Sequence, residues 1–391
     1  MSENPLISVI IPAHNASKFI ERTLKSVSDQ SYKELEVIIV DDGSTDSTYT
    51  IISNHAQRDN RIKVIQKNNS GVADSRNKAI DYAAGEFIAP IDADDVWHPE
   101  TLKKLVNCLL KQDSSVGLAY AWSVFIDEND CLMNNFKASN ADGWVYQTLL
   151  CHNFIGNASA TLIRRACLDT VGGYSTELRQ QNAQGCEDWD LYLRIASHYK
   201  FSVAREFLVG YRKIKSSMSR DHEKMAKSHR HMLDNVYRQD PKLPRFFYHV
   251  SCSSFYIYLA QESRQQGNIY GVFLWLKNAI KQDWITPWFR LGIYILVLSS
   301  FAKVLSMHAK LAFTASFNIS SAFFQIPHKE ACKAPQFLRQ RGTSRDINYM
   351  SSERFSTTSL DKFRLSNLWK IRVRLLVGNI LHHLLLFLRK L

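Results

Sequence analysis

Ile91-Asp92-Ala93-Asp94-Asp95 sets three carboxylates within four positions, directly after the run Phe87-Ile88-Ala89-Pro90. The run predicts a buried strand that stops where the acids begin. Like charges crowded together repel, so the cluster costs stability unless a cation sits among them. A hard divalent cation with oxygen ligands is the natural partner. Taken alone, a D-x-D is more often an exposed acidic turn than a site, and the rest of the chain has to decide between the two.

Working outward, the same architecture repeats. Ser8–Ile11 is a short apolar strand stopped by Pro12. Leu35–Val40 is a second, ended by Asp41-Asp42-Gly43-Ser44, and Ile62–Ile65 a third. Helical spacing separates them: Phe19, Ile20, Leu24 and Val27 recur on one face, and Val72–Ala84 is helical with Gly85 as its stop. Pro99 opens a further helix to about Gln112, and Val116–Ile126 is another strand. Alternating strand and helix predict an α/β fold, with a mostly parallel, Rossmann-like sheet covered on both faces. Ligands bind such sheets at the carboxyl ends of the strands. Three polar clusters fall there: Pro12-Ala13-His14-Asn15, Asp41–Asp46 and Asp92–Asp95. Three clusters at one edge favour a site over a surface turn.

The later part is less regular. Asn129–Asn157 is mixed, Ala158–Ile163 reads as a strand and Ala166–Val171 as a short helix before Gly172-Gly173. Glu187-Asp188 opens a helical run, where acids often only complement the helix dipole. Phe207–Tyr211 reads as a last strand, followed by the basic, hydroxyl-rich loop Arg212–Ser219.

The chain has 391 residues and a formal net charge of +12. Residues 1–220 hold 24 Lys+Arg against 27 Asp+Glu, and residues 221–391 hold 25 against 10, a balance of +15. The basic character therefore belongs to the C-terminal part, and an anionic surface is its expected partner. No helix-turn-helix, RNA-binding or zinc pattern supports nucleic acid. Seven cysteines without C-x-x-C spacing argue against a zinc site or disulfide framework and fit a reducing compartment. No signal peptide is evident in the polar Met1–Pro5. The expected organisation is a catalytic domain over 1–220, a helical aromatic-rich extension over 221–332, a polar linker over 333–361 and a basic amphipathic helix over 362–391. In that last helix Asn379, His382 and His383 form a narrow polar stripe, a pattern expected to lie on an anionic membrane, with docking on the domain or a partner as the alternative. Leu291–Ala302 is apolar but too short to span a bilayer.

With these pieces in order, residues 1–220 resemble the family-2 glycosyltransferases of GT-A fold. The resemblance rests on Ser8–Asn15, Val40–Asp46, Asn69–Asn77, Ile91–Asp95 and Glu187-Asp188. It implies an enzyme, a hexosyltransferase that moves a sugar from a nucleotide-diphosphate donor (a UDP- or GDP-sugar) with inversion at the anomeric carbon. Asp42 then resembles the carboxylate that accepts from the nucleotide base, with Asp41 the neighbour it can be confused with. Pro12, Ala13 and Asn15 border the same ring. Arg76 and Asn77 lie on a helix facing the donor, Arg76 toward base or phosphate. Asp94 resembles the direct ligand of Mg²⁺ or Mn²⁺, Asp92 a ribose contact or second ligand, with Ala93 between them against the donor and Asp95 assisting either. Asp188 resembles the general base, with Glu187 beside it. Arg212, with Lys213 and Lys215, is a candidate to close over the diphosphate, and His14 is either near the donor or simply packed.

Gln336-Phe337-Leu338-Arg339 begins like the Q-x-x-R-W motif of processive synthases, but Gln340 stands where Trp belongs. The expectation is a non-processive enzyme that adds one sugar to a glycan or lipid-linked acceptor. Its expected place is cytoplasmic, on the inner face of the membrane. The alternative is a catalytically silent nucleotide-binding scaffold at that surface, which the intact acid pairs disfavour.

Overall fold

The structure, a computed structural model, describes residues 4–214, 220–285, 287, 290 and 292–301. Lys215, the segment 302–332, the linker at 333–361 with its Gln336 motif and the basic helix at 362–391 lie outside the described residues. The chain divides into two compact units, one running to Met232 and the other starting at Leu233.

In the first unit, β1 (Ile7–Ala13), β2 (Leu35–Asp42), β3 (Ile62–Lys67) and β4 (Phe87–Pro90) run parallel in the order β3-β2-β1-β4. Every residue of β1 and β2 is buried. Unbroken Val/Ile runs require that, because central parallel strands are covered on both faces. Edge strand β3 alternates between part-buried and exposed positions. The crossovers are α1 (Ile20–Ser28), α2 (Thr48–Ala56) and α3 (Val72–Tyr82). The carboxyl ends of β1, β2 and β4 therefore lie side by side, as expected.

Beyond β4 the sheet becomes mixed. The remaining elements of this unit are β5 (Val96–Trp97), α4 (Thr101–Leu110), β6 (Val116–Ile126), β7 (Leu132–Lys137), α5 (Tyr146–Cys151), a 3₁₀ turn (Ala158–Ala160), β8 (Thr161–Arg164), α6 (Arg165–Val171), α7 (Glu177–Gln180), α8 (Glu187–Ala196) and β9 (Lys200–Arg212), and the division between the units falls within α9 (His222–Gln239). Strand β8 lies antiparallel between β4 and β6, β9 runs parallel to β6, and β5 runs antiparallel to β9. β7 folds back on β6 through the turn at Asp127–Cys131, too short for a parallel crossover. The α/β class holds, and the parallel expectation holds for the first four strands. Two strands, β5 and β7, were not expected. The last strand begins at Lys200 rather than Phe207, because its first half is held by pairing with β6.

In the second unit, α10 (Arg245–Gln265) packs against α11 (Ile269–Gln282). Tyr256 stacks on Trp275 with centroids 5.6 Å apart. Asn268 caps α11, its Oδ1 accepting from Gly271 N at 2.8 Å. Residues 292–301 are helical, with Leu296 buried and Ile295 and Leu298 exposed. Among the described residues no helix is long and apolar enough to cross a membrane.

Candidate active site

The acid cluster is a turn clamped between two strands. Asp95 N donates to Asp92 O at 3.0 Å and closes the turn, and β5 follows at once and pairs with β9. The three carboxylates separate sharply. Asp95 is fully buried, accepting from Ser159 Oγ at 2.5 Å and from Arg212 N at 2.8 Å. It holds the turn and does not face the ligand side. Asp92 accepts from Arg76 Nη2 at 2.5 Å, and its side chain keeps 28% exposure. No side chain among the described residues bonds the Asp94 carboxylate. Burial, then the neighbouring Asp92 charge, pushes its pKa up to about 7, against the pull of Arg212. Ala93, between them, is buried, and its carbonyl lies 3.0 Å from the Thr23 hydroxyl.

Arg212 corrects an expectation. Its side chain is buried under the turn, with Nε donating to Asp94 O at 2.6 Å and Nη1 to Asp127 O at 2.6 Å. The guanidinium also pairs with Asp130 and lies over Phe19. It supports the loop that carries Asp94 and is not free to close over a diphosphate.

At the ends of β1 and β2, Pro12 and Ala13 are buried, and His14 and Asn15 emerge. Asn15 adopts φ 48°, and its Oδ1 accepts from Thr45 N at 2.8 Å, which staples the two strand exits together. His14 Nδ1 sits 2.9 Å from Asp42 O. Asp41 and Asp42 are both buried. Asp41 Oδ1 has no partner among the described residues. Asp42 Oδ1 accepts from Lys67 Nζ at 2.5 Å and Ser70 N at 2.8 Å, and Oδ2 from Gly71 N at 2.7 Å. Burial works against its charge, but these donors win and hold its pKa below the ordinary value. The turn at Asn69–Gly71, which opens α3, is thus built on Asp42. Oδ2 keeps a lone pair for one further donor.

Arg76 is the node that joins the parts. It projects from α3 and is nearly fully buried, with Nη2 on Asp92 and Nη1 on Asp188 Oδ1, both at 2.5 Å. Residues 76, 92 and 188, distant in sequence, are therefore one cluster. Asp188 keeps 25% side-chain exposure at the start of α8. Burial raises its pKa, the Arg76 charge opposes the rise and the Asp92 charge adds to it. Glu187 does not share this place. It is buried, its Oε2 accepts from Gly185 N at 2.8 Å, and it serves the helix start. Asn77 is likewise corrected. Its Nδ2 donates to Tyr174 O at 2.8 Å and its Oδ1 accepts from Tyr174 N at 2.7 Å, so it brackets a loop and does not face a donor.

Lys67, Ser159 and Tyr174 were missed by the sequence reading. Ser159 accepts from Asp92 N at 3.0 Å, donates to Asp95 and offers its carbonyl to Trp97 Nε1 at 2.7 Å. It comes from a single 3₁₀ turn, Ala158–Ala160, that leads into β8 where the sequence reads as strand, and no spacing rule points to it. The bracket at Tyr174 makes a local prediction. A Cβ at Gly173 would run into Asn77 Oδ1, which is fixed by both bonds to Tyr174. Gly173→Ala is expected to destabilise the protein by about 1–3 kcal/mol in urea unfolding, and an unchanged midpoint would remove the bracket from the argument.

Among the described residues no group of three or more His, Cys, Asp and Glu is placed to hold a metal alone. The donor set fits a different type of site. Mg²⁺ and Mn²⁺ are commonly held by one or two carboxylates, with substrate phosphates and water completing the shell. Asp94, which no side chain among the described residues bonds, and the part-exposed Asp92 are carboxylates that fit such a site.

Comparison with known proteins agrees with this fold. The family model described as Glycosyl transferase family 2 matches residues 8–166. A putative teichuronic acid biosynthesis glycosyltransferase, TuaG of Bacillus subtilis (strain 168), is 30% identical over 225 residues, 57% of this chain and 85% of that protein. An uncharacterized glycosyltransferase of Methanocaldococcus jannaschii is 29% identical over 214 residues, 54% of this chain and 71% of that one. The mannosyltransferase PcManGT from Pyrobaculum calidifontis, solved in complex with GDP-Man and Mn²⁺, shares the fold at a TM-score of 0.50 and 19% identity. That likeness covers 81% of this chain and 82% of the mannosyltransferase. With parallel strand ends, a D-x-D turn and an acid-headed helix assembled at one edge, the chain belongs to glycosyl transferase family 2 and is a transferase enzyme.

Proposed function

We propose that the enzyme is a non-processive, inverting glycosyltransferase that moves a sugar from a nucleotide-diphosphate donor to the hydroxyl of a glycan or lipid-linked acceptor. One observation carries the reading: Arg76 bonds both Asp92 and Asp188, so a donor-side carboxylate and a candidate base share one guanidinium. In an inverting transfer the acceptor oxygen attacks the anomeric carbon from the face opposite the leaving diphosphate. A hydroxyl is a weak nucleophile, and a base must take its proton as the bond forms. Asp188 takes that role, since its raised pKa makes it a stronger base than an ordinary aspartate while Arg76 favours the ionised form. Asp42 Oδ2 accepts from the nucleotide base, and Pro12, Ala13 and Asn15 line the same end of β1. Asp94 and Asp92 would hold Mg²⁺ or Mn²⁺, which when bound supplies Lewis-acid neutralisation of the diphosphate. The GDP-Man and Mn²⁺ of the mannosyltransferase are of this chemistry. The +15 balance of residues 221–391 supports an acceptor presented at an anionic membrane surface.

The test is a thermal-shift screen of UDP- and GDP-sugars with Mn²⁺, Mg²⁺ or EDTA. One donor at about 100 times its Kd is expected to stabilise the protein by about 2.7 kcal/mol, and only with metal present. Asp94→Ala is expected to abolish the metal-dependent part and to leave the unliganded melting temperature nearly unchanged. Absence of stabilisation by every nucleotide-sugar, or equal stabilisation in EDTA, would sink the reading.

A further inference from the structure

We propose that Tyr174 is a positioning residue for the transfer chemistry: its ring backs the Arg76 guanidinium and so sets how Arg76 divides its N–H groups between Asp92 and Asp188. The proposal rests on the glycosyl-transfer reading above and adds a residue to it. The Arg76 guanidinium carbon lies 5.0 Å from the Tyr174 ring centroid, and Tyr174 is 3% exposed. A cation over a desolvated aromatic face is held there by the ring quadrupole. Arg76 Nε has no partner among the described residues. The guanidinium is thus held by two carboxylates at its Nη edge and by the ring at its face.

The ring is itself fixed. Asn77, the next residue after Arg76, bonds both the N and the O of Tyr174. From the other side Arg194 of α8 donates to Val171 O at 2.7 Å and to Gly173 O at 2.8 Å. The segment carrying Tyr174 is therefore tied to α3, which bears Arg76, and to α8, which bears Asp188. The Tyr174 hydroxyl is buried with no hydrogen-bond partner among the described residues. A residue kept for a polar contact would use its hydroxyl, whereas a residue kept for its π face need not. The chemistry on offer at this position is the ring.

The full-length protein tests this with Tyr174→Phe, Tyr174→Leu and Tyr174→Met, each made also in an Arg76→Lys background, using the donor found by the screen. Tyr174→Phe is expected to keep kcat within about twofold, because the hydroxyl bonds nothing among the described residues, and to gain slightly in stability. Tyr174→Leu is expected to lower kcat about 30-fold, the worth of a desolvated cation–π contact. Tyr174→Met, which fills the space without a π face, should follow Leu, and serves if Leu does not fold. In the Arg76→Lys background the Leu and Met changes are expected to cost less than about twofold, since residues acting through one another are not additive. Equal losses in both backgrounds mean a structural role and overturn the proposal, as does a Phe variant as damaged as Leu. Arginine side-chain ¹⁵N NMR reads the same point without turnover. Slowly exchanging Arg76 Nη–H signals are expected in wild type and Phe and absent in Leu and Met. Their survival in Leu and Met overturns the positioning role, whereas a wild type inert toward every donor but with this NMR pattern sinks only the transfer reading.

Discussion

Asp188→Asn is expected to lower kcat by about 10²- to 10⁴-fold, the usual contribution of a general base, with donor affinity nearly unchanged. The substitution keeps shape and an oxygen for Arg76 Nη1, and removes the negative charge together with the ability to take a proton. The pH dependence gives an independent reading. The base works deprotonated, so kcat/KM should rise with pH through its pKa and be lost on the acid side. Burial raises that pKa above the ordinary aspartate value, so the acid limb should lie above the range of an exposed aspartate. In the Asn variant this limb should vanish, and the residual rate should be flat across it. A variant that turns over at the wild-type rate, or that keeps the same acid limb, would remove Asp188 as the base. Glu187→Gln is the natural control: Glu187 is buried on Gly185 N, so its loss should appear in stability more than in kcat.

The parallel half of the fold was legible because unbroken apolar runs and helical spacing are local signals. β1, β2 and β4, and the polar clusters after them, follow from such runs. The mixed half was not, because β5 and the first half of β9 are short stretches held by pairing with distant partners. The site shows the same division. The sequence singles out Asp92, Asp188 and Arg76 but not that they pair. Arg76 looked like a donor contact because a cation near a diphosphate is a sound default. Its bridge between Asp92 and Asp188 needed the relative placement of three elements. Arg212 and Asn77 were drawn toward the ligand for the same reason, and both turned out to hold loops. Asp95, equal to its neighbours in the sequence, is set apart by one hydroxyl from Ser159 and one N–H from Arg212.

Arg76→Ala is expected to be the most damaging single change to the folded state. Arg76 is nearly fully buried and neutralises two carboxylates at once. Removing one partner of a buried pair costs about 3–5 kcal/mol, because the charges left behind have lost their solvation and gained nothing. For a unit of this size each kcal/mol lowers the melting temperature by about 2–4 °C. A loss of about 6–20 °C is therefore expected for Arg76→Ala, together with loss of transfer. Arg76→Lys should fall between the two, since a single ammonium cannot reproduce a planar fork that reaches two carboxylates. The cause can be separated from simple loss of packing by a cycle with Asp188→Asn. If the penalty comes from stranded charge, Arg76→Ala should cost less in the Asn background, where one of the two charges has already gone. If it comes from a cavity, the two costs should add. A melting temperature unmoved by Arg76→Ala would mean that water reaches Asp92 and Asp188 freely, and that the guanidinium bridge does not hold the donor side and the base together.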